Sequence, residues 1–455
     1  MSVEAIRSRR RQLTLPAPTS VADSSPLPWL VVAFLICIFV PFQMRLGPLQ
    51  MSTIRFVLLL LLIPMIRMMI LSPSRKLIPT DIFFALLCFW VTVSMTRNHG
   101  FLATIEYNGI FAIETLGGYL VGRVFIRGPQ AFEKMVRVYF GIVFFLFPFA
   151  LIETLTGYNV LLHLSNAILY SQPEVRPLWR LGFERVQATL DHPIHFGIIM
   201  GSMLGLTFKV MGFGVSTLQR YGQAGLVFIT AFFAMSTGAI LMMATQIALL
   251  SWDAIMKPLR ERWKVLLFGV LGLAVFEMTT GAVIQFLINN VAFNPDTAFN
   301  RTRIFGYTIL NIERSPIFGI GLNEWINMPG TTDSVDMFWM LLTMMHGIPA
   351  GIFLILAFVW LPVTIGFRPV YGARLNAYKT GYLIAMTALF IVMWTVHAWR
   401  ELYVFICFLL GSGSWLLDVK PPGSQTSTAA EADADPDAQD GVPQRSAPPS
   451  PTQWT

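Results

Sequence analysis

The sequence predicts an all-α polytopic membrane protein of about twelve transmembrane helices, and three observations carry that prediction. The 455-residue chain is 55% apolar with a mean hydropathy of +0.62, yet only 13% charged, about half the charge of an average soluble domain. Its 37 Phe, 23 Met and 12 Trp suit lipid or a helix bundle. Apolar runs of about 20 residues, the length that crosses a ~30 Å hydrocarbon core, recur through most of it. Several soluble domains are thereby excluded, as are disordered, collagen-like and disulfide-framework classes for the bulk of the chain. Cys37, Cys88 and Cys407 all lie in apolar runs with no metal spacing or pairing pattern, and read as small core residues.

Residues 1–28 form a polar N-terminus with Arg7, Arg9, Arg10 and Arg11, and no cleavable signal peptide is expected there. The bundle is expected over 29–417. Its candidate spans are 29–46, 51–71, 80–96, 101–122, 136–156, 194–212, 264–288, 337–363, 380–396 and 401–417, with two more in 218–257. That stretch is too long for one helix, and Met235-Ser236-Thr237-Gly238 at its middle reads as a hinge. From 418 to 455 seven prolines and six acidic residues describe a disordered cytoplasmic tail.

The distribution of charge tests the count. With a cytoplasmic N-terminus, 22 of the 32 basic residues fall on the cytoplasmic side, as positive-inside topology requires. A single span over 218–257 would instead put Lys257, Arg260, Arg262 and Lys264 outside. The +7 net charge is thus a matter of topology, and no nucleic-acid partner is expected. Both termini are placed in the cytoplasm. Two outer loops, about 157–193 and 289–336, are far longer than bundle connections usually are. They hold six of the ten outward basic residues: Arg176, Arg180, Arg185, Arg301, Arg303 and Arg314. Guanidinium forks match phosphate bidentately, so an anion site is one reading; salt bridges to Glu174, Glu184, Asp191 and Glu313 are the other.

The first loop runs from Arg185 to Asp191, His192, Pro193 and His195 at the start of a span. Pro193 suits a first helical turn, Asp191 could cap it, and free N–H groups there would favour an anion. His192 and His195 are three residues apart, which leaves a metal site, interfacial histidines bonded to backbone, or substrate contact open. In the second loop Arg303–Ile312 reads as a short amphipathic helix that Ser315-Pro316 breaks. Gly319-x-Gly321 follows, weak evidence for a phosphate turn, and then Asp333 and Asp336 before the next span.

Together these segments resemble the bacterial O-antigen ligase and O-antigen or exopolysaccharide polymerase superfamily. Arg185 with His192-Pro193 and Phe196-Gly197 is similar to its R…HP-x-x-FG segment. Arg301 with Phe305, then Ser315-Pro316 to Gly319-x-Gly321, is similar to R-x-x-x-W…P-L-x-G-x-G, and Asp336 with Gly347-x-Pro349 to H-N-x9-G-x-P. Asp336 and Met337 replace His-Asn, and Thr237 replaces the Arg of Ser-Arg-Gly. The resemblance implies a metal-independent C-type glycosyltransferase of the inner membrane with a periplasmic active site and no cofactor. Its donor would be an undecaprenyl-diphosphate-linked glycan and its acceptor another lipid-linked repeat (polymerase) or lipid A core (ligase). Membrane lipids, a chain-length regulator and export proteins are the further partners implied. Arg185 and Arg301 would bind the diphosphate.

Leaving-group charge needs fixed cations, here Arg185 and Arg301 with Arg303. The acceptor hydroxyl needs a base: Asp336, with Asp191, Asp333 and His192 behind it, or a helix N-cap if Asp336 is structural. Glu106 and Glu114, two turns apart, and Glu277 are intramembrane carboxylates suited to a substrate cleft, to interhelical hydrogen bonds, or to the proton path of a transporter or flippase. Trp394, His397, Trp399 and Arg400 read as an interfacial aromatic belt, though aromatics also stack on sugar faces.

Overall fold

Helices that are apolar on every face must be received by other helices or by lipid, and such helices dominate the computed structural model. It describes residues 27–46, 49–71, 76–171, 173, 179–259, 261–280, 295–327, 334–370 and 372–419, without the side chains of 45, 46, 49, 50, 271, 273–280 and 295–302. The chain opens with α1 (Trp29–Cys37) and an antiparallel hairpin of β1 (Gln43–Leu46) and β2 (Leu49–Ser52). Next come α2 (Thr53–Leu71), α3 (Pro79–His99) and α4 (Phe101–Ala112), which passes through a π-helical turn, Ile113–Gly117, into α5 (Gly118–Phe125). α6 (Pro129–Thr156) and α7 (Val160–Ile168) lead to a small hairpin, β3 (Trp179–Arg180) and β4 (Phe183–Glu184). α8 (Pro193–Leu206) also ends in a π turn, Thr207–Met211. The remainder is α9 (Thr217–Phe232), α10 (Thr237–Ile255), α11 (Arg262–Thr280), α12 (Pro295–Arg314), α13 (Phe338–His346), α14 (Ile348–Phe367), α15 (Ala373–Val392) and α16 (Arg400–Ser412), which closes in a 3-10 turn, Ser414–Leu417.

This is an all-α membrane protein. Among the described residues eight helices are long and apolar enough to cross a bilayer: α2, α3, α6, α8 with its π turn, α10, α14, α15, and α16 with its 3-10 turn. Three of the twelve expected spans are not among these eight, and a fourth, 264–288, lies partly outside the described residues. Residues 29–46 are not one helix: α1 stops at Cys37, and the chain turns to pair Phe42 with Ser171 of the first long loop. Pro41 has no N–H to continue a helix. The 101–122 stretch carries the π turn and α9 has only 16 residues, about 24 Å, whereas 264–288 begins in the 19-residue α11 and continues past residue 280 outside the described residues. The hinge in 218–257 lies between Phe232 and Thr237, and span 337–363 breaks at Gly347. The N-terminal 26 residues and the tail from 420 lie outside the described residues.

Helix ends sort onto two faces. One gathers the starts of α2, α8 and α16 and the ends of α3 and α6 around His192; the other gathers opposite ends around Lys209. On the Lys209 face, Asp81 near the start of α3 accepts from Tyr119 (2.5 Å) and Arg123 (3.4 Å) of α5. There Glu133 of α6 binds Arg137 and also Arg374 and Tyr378 of α15.

α16 and α8 form the interior, with 89% and 78% of their spans buried against 22% for α2. α5 crosses α16 at contact distance because glycines face each other there: a Cβ at Gly122 would lie 2.2 Å from the Phe408 carbonyl oxygen, and one at Gly411 2.2 Å from that of Tyr119. Small residues at a crossing let helix backbones approach and pack. Gly122→Ala must push α5 and α16 apart and is expected to cost about 1–3 kcal/mol, read as a lower unfolding temperature of the purified protein. Gly141→Ala, which meets nothing within 4 Å, should leave that temperature unchanged or slightly raised.

Candidate functional site

A cavity of about 560 Å³ opens on the His192 face. Its walls are the start of α8, the segment Ile320–Trp325, the segment Ser334–Asp336, and the connection from α15 to α16. Two local structures hold these walls together. The Phe338 N–H at the start of α13 donates to the carbonyls of Met393 (3.0 Å) and Val396 (3.2 Å), which fixes Asp336 beside Thr395 and His397. Gly319 and Gly321 have φ of +65° and +64°, a region favourable only to glycine. Their turn lies flat on α13, with Ile320 N donating to Met344 O (3.0 Å) and Gly321 N to Met345 O (2.9 Å). These N–H groups are engaged, so Gly319-x-Gly321 is a packing turn and not a phosphate cradle.

The start of α8 also departs from expectation. His192, not Asp191, caps the helix: its Nδ1 accepts the Ile194 N–H at 3.1 Å. Pro193 has no N–H, and those of His195 and Phe196 donate to the His192 carbonyl, so no anion is held there by free backbone donors. Acceptance at Nδ1 leaves the proton of the neutral ring on Nε2. Burial and the neighbouring Arg185 guanidinium push His192 down to about 4, and burial pushes His397 down to about 4. Both cavity imidazoles are therefore neutral at pH 7.

Asp191 turns instead toward α16, where Arg400 Nη1 lies 2.8 Å from its carboxylate and Arg400 Nη2 lies 3.6 Å from Glu401. Burial pushes the Asp191 carboxyl up, against the pull of Arg400. Arg400 has φ +48°, which costs about 1 kcal/mol or more in a non-glycine residue. The bend lays Trp399 on buried His195, ring centroids 3.9 Å apart. His192 lines the cavity and meets the Trp399 ring edge-on at 6.3 Å, whereas His195 is fully buried behind that ring and does not line the cavity. Among the described residues no group of three His, Cys, Asp or Glu could hold a metal ion.

Asp336 is half-buried in the cavity wall. The N-cap of α13 is Met337, so Asp336 is not a cap, and among the described residues its carboxylate has no hydrogen-bond or ionic partner. Arg185 is buried, its Nε donating to Ala234 O at 3.0 Å, and Arg180 Nη1 donates to Met235 O at 2.9 Å. Both guanidinium groups therefore sit on the α9–α10 hinge. Burial and the like charge of Arg180 push Arg185 down to about 10, still protonated at neutral pH.

Arg303 is exposed on α12, a helix that begins eight residues before Arg303. Arg301 is on the same helix, but its side chain, like Asp333 and the side chain of Glu277, lies outside the described residues. Glu114 is buried in the π turn and accepts from Arg55 Nε at 2.7 Å, whereas Glu106 is half-buried one element earlier. The extra residue of a π turn rotates the rest of the helix, so a two-turn spacing does not set the face of Glu114. Sequence reasoning missed Trp325 and Glu401 and left His397, Trp399 and Arg400 in an aromatic belt. The available signal was a charged pair, Arg400-Glu401, opening an otherwise apolar run. No family model and no curated protein matches the chain.

The depressed imidazoles set a pH dependence. Between pH 6.5 and about 4 the unfolded chain binds protons at His192 and His397 that the folded protein refuses, so stability falls as pH falls through that window. Asp191, raised on folding, acts in the opposite sense. The unfolding temperature of the purified protein is expected to drop between pH 6.5 and 4, and His192→Gln/His397→Gln to flatten that slope.

Proposed function

We propose that the chain is an integral-membrane glycosyltransferase that moves an undecaprenyl-diphosphate-linked glycan onto the next lipid-linked repeat, an exopolysaccharide or O-antigen polymerase of the bacterial inner membrane with its site on the periplasmic side. The observation that carries this reading is the Asp336 carboxylate, without a partner among the described residues, in a cavity whose other lining side chains are uncharged, the neutral His192 and His397 among them, and whose walls include Trp325 and Trp399. Aromatic walls with few placed polar groups suit a bound ligand, here sugar rings. The resemblance to the O-antigen ligase and polymerase superfamily supplies the substrate class.

In this scheme an acceptor hydroxyl lies against Asp336. Its oxygen forms the new bond to the donor C1 as its proton passes to the Asp336 carboxylate. The C1–O bond to the diphosphate breaks, and the electron pair leaves with undecaprenyl diphosphate. Arg185 and Arg301 balance the charge on that leaving group, and the His192 Nε2–H donates to one of its oxygens or to a sugar hydroxyl. The scheme uses no cofactor. A transporter or flippase would need its ionisable groups deep in the bilayer, but Arg55, the partner of Glu114, is only the third residue of α2, close to the His192 face.

The test is transfer from a diphosphate-linked oligosaccharide by the full chain in membranes. Asp336→Asn is expected to slow transfer by about 10²–10⁴-fold, and Arg185→Ala or Arg301→Ala to abolish long chains while the protein remains inserted. Full chain length in both arginine variants would overturn the proposal. A productive lipid A core acceptor would make the enzyme a ligase instead, and activity lost only in Glu106, Glu114 and Glu277 variants would make it a transporter.

A further inference from the structure

The second large cavity lies at the opposite end of α8, about 25 Å away along the helix from His192 to Lys209. It has a volume of about 790 Å³ and sits between α9 and α10, with the π turn after α8 at its base and the first turns of α15 beside it. Lys209, Arg220, Lys257 and Arg262 line it, against a single carboxylate, Asp253. That carboxylate is fully engaged, by Lys209 Nζ at 2.5 Å and by Arg262 Nη2 at 2.8 Å. Arg220 is fixed rather than neutralised: its Nε donates to the Gly212 carbonyl at 2.8 Å and its guanidinium lies over Phe208 at 5.5 Å. Lys257 is exposed and has no ionic partner among the described residues. Four cations and one carboxylate leave a net charge of +3 around one opening.

The cavity is also deeper than an ion needs. From Arg220 its wall follows α9 to Phe228, and from Lys257 it follows α10 back to Ile247, about 12–15 Å at the helical rise. Ala224, Gly225 and Ala254 keep this slot open, and Phe228 and Ile247 at its far end are 37% and 43% exposed, as surfaces that meet acyl chains would be. Cations at the mouth and an apolar slot reaching into the membrane match a phosphodiester headgroup with its chains attached. Basic pockets between membrane helices on the cytoplasmic side take such headgroups, and positive-inside topology puts the Lys209 face there.

We infer that the cleft between α9 and α10 is a binding site for an anionic glycerophospholipid, held by Arg220, Lys257 and the Lys209 and Arg262 cations around Asp253. This site is independent of the transfer chemistry at the other face. Its occupant fixes α9 against α10 and so bears on the hinge that carries Arg180 and Arg185.

The full chain purified in detergent tests this, with the unfolding temperature read after addition of phosphatidylglycerol, phosphatidylcholine or inorganic phosphate. Phosphatidylglycerol at saturation is expected to raise it by about 3 °C, with no shift from the other two. Arg220→Gln/Lys257→Gln should lose that shift, and Arg127→Gln, an exposed charge outside the cleft, should keep it. Should the double variant not fold, Lys257→Gln alone must reduce the shift. An equal shift with phosphatidylcholine, a shift with phosphate alone, or an undiminished shift in the cleft variants overturns the inference.

Discussion

The bond between Arg400 and Asp191 joins the first long loop to the most enclosed helix of the bundle, and the His192 face is organised around it. Neither charge has ready access to water, and a buried ion whose partner is removed costs several kcal/mol. The pair is therefore a constraint more than a source of stability: α16 can start only where the Asp191 carboxylate reaches it. Meeting it requires a left-handed residue at Arg400, and that bend places Trp399 over His195 and turns the connection from α15 toward the cavity. The loop that supplies Asp191 supplies Arg185 and His192 as well, so the same bond sets where those groups lie.

Around the cavity, most polar groups are already committed. The first turn of α8 is closed by its own histidine, the glycine turn lies on α13, and Arg180 and Arg185 hold hinge carbonyls. Buried polar atoms seek partners, and in a structure that has satisfied most of them the remainder is informative. Among the described residues the remainder includes the Asp336 carboxylate and His397 Nδ1 at the cavity, and the buried His195 ring and Glu401 Oε2 near it. That economy is why Asp336 is the proposed base, while the arginines are left to balance the charge of the leaving group.

Much of the fold was legible because its causes are local. Apolar runs of span length located most of the membrane helices, and the charge distribution required a hinge where α9 meets α10. The 29–46 run misled because length and hydropathy do not register a chain leaving its helix to pair with a loop more than a hundred residues later. The site was legible as a neighbourhood: Asp336 and His192 line one cavity, and Arg185 lies beside His192. Their roles were less so. Whether Asp191 or His192 caps α8 depends on Arg400, 209 positions away, and no spacing rule in one sequence encodes that. Gly319-x-Gly321 was ambiguous for the same reason, since only the tertiary contact with α13 says where its N–H groups go.

The two π turns, Ile113–Gly117 and Thr207–Met211, each carry a charged residue, Glu114 and Lys209, to a partner on another helix. A π turn holds one residue more than the α-helical turn it replaces. Removing a residue from most membrane helices rotates everything beyond it by about 100° and destroys the packing on both sides. At these two places a shorter helix already has a conformation waiting, because the surplus residue can be lost by reverting to regular α geometry. These turns are thus where the bundle can tolerate a change in chain length, and such a change would unhook a single charge while sparing the helix around it.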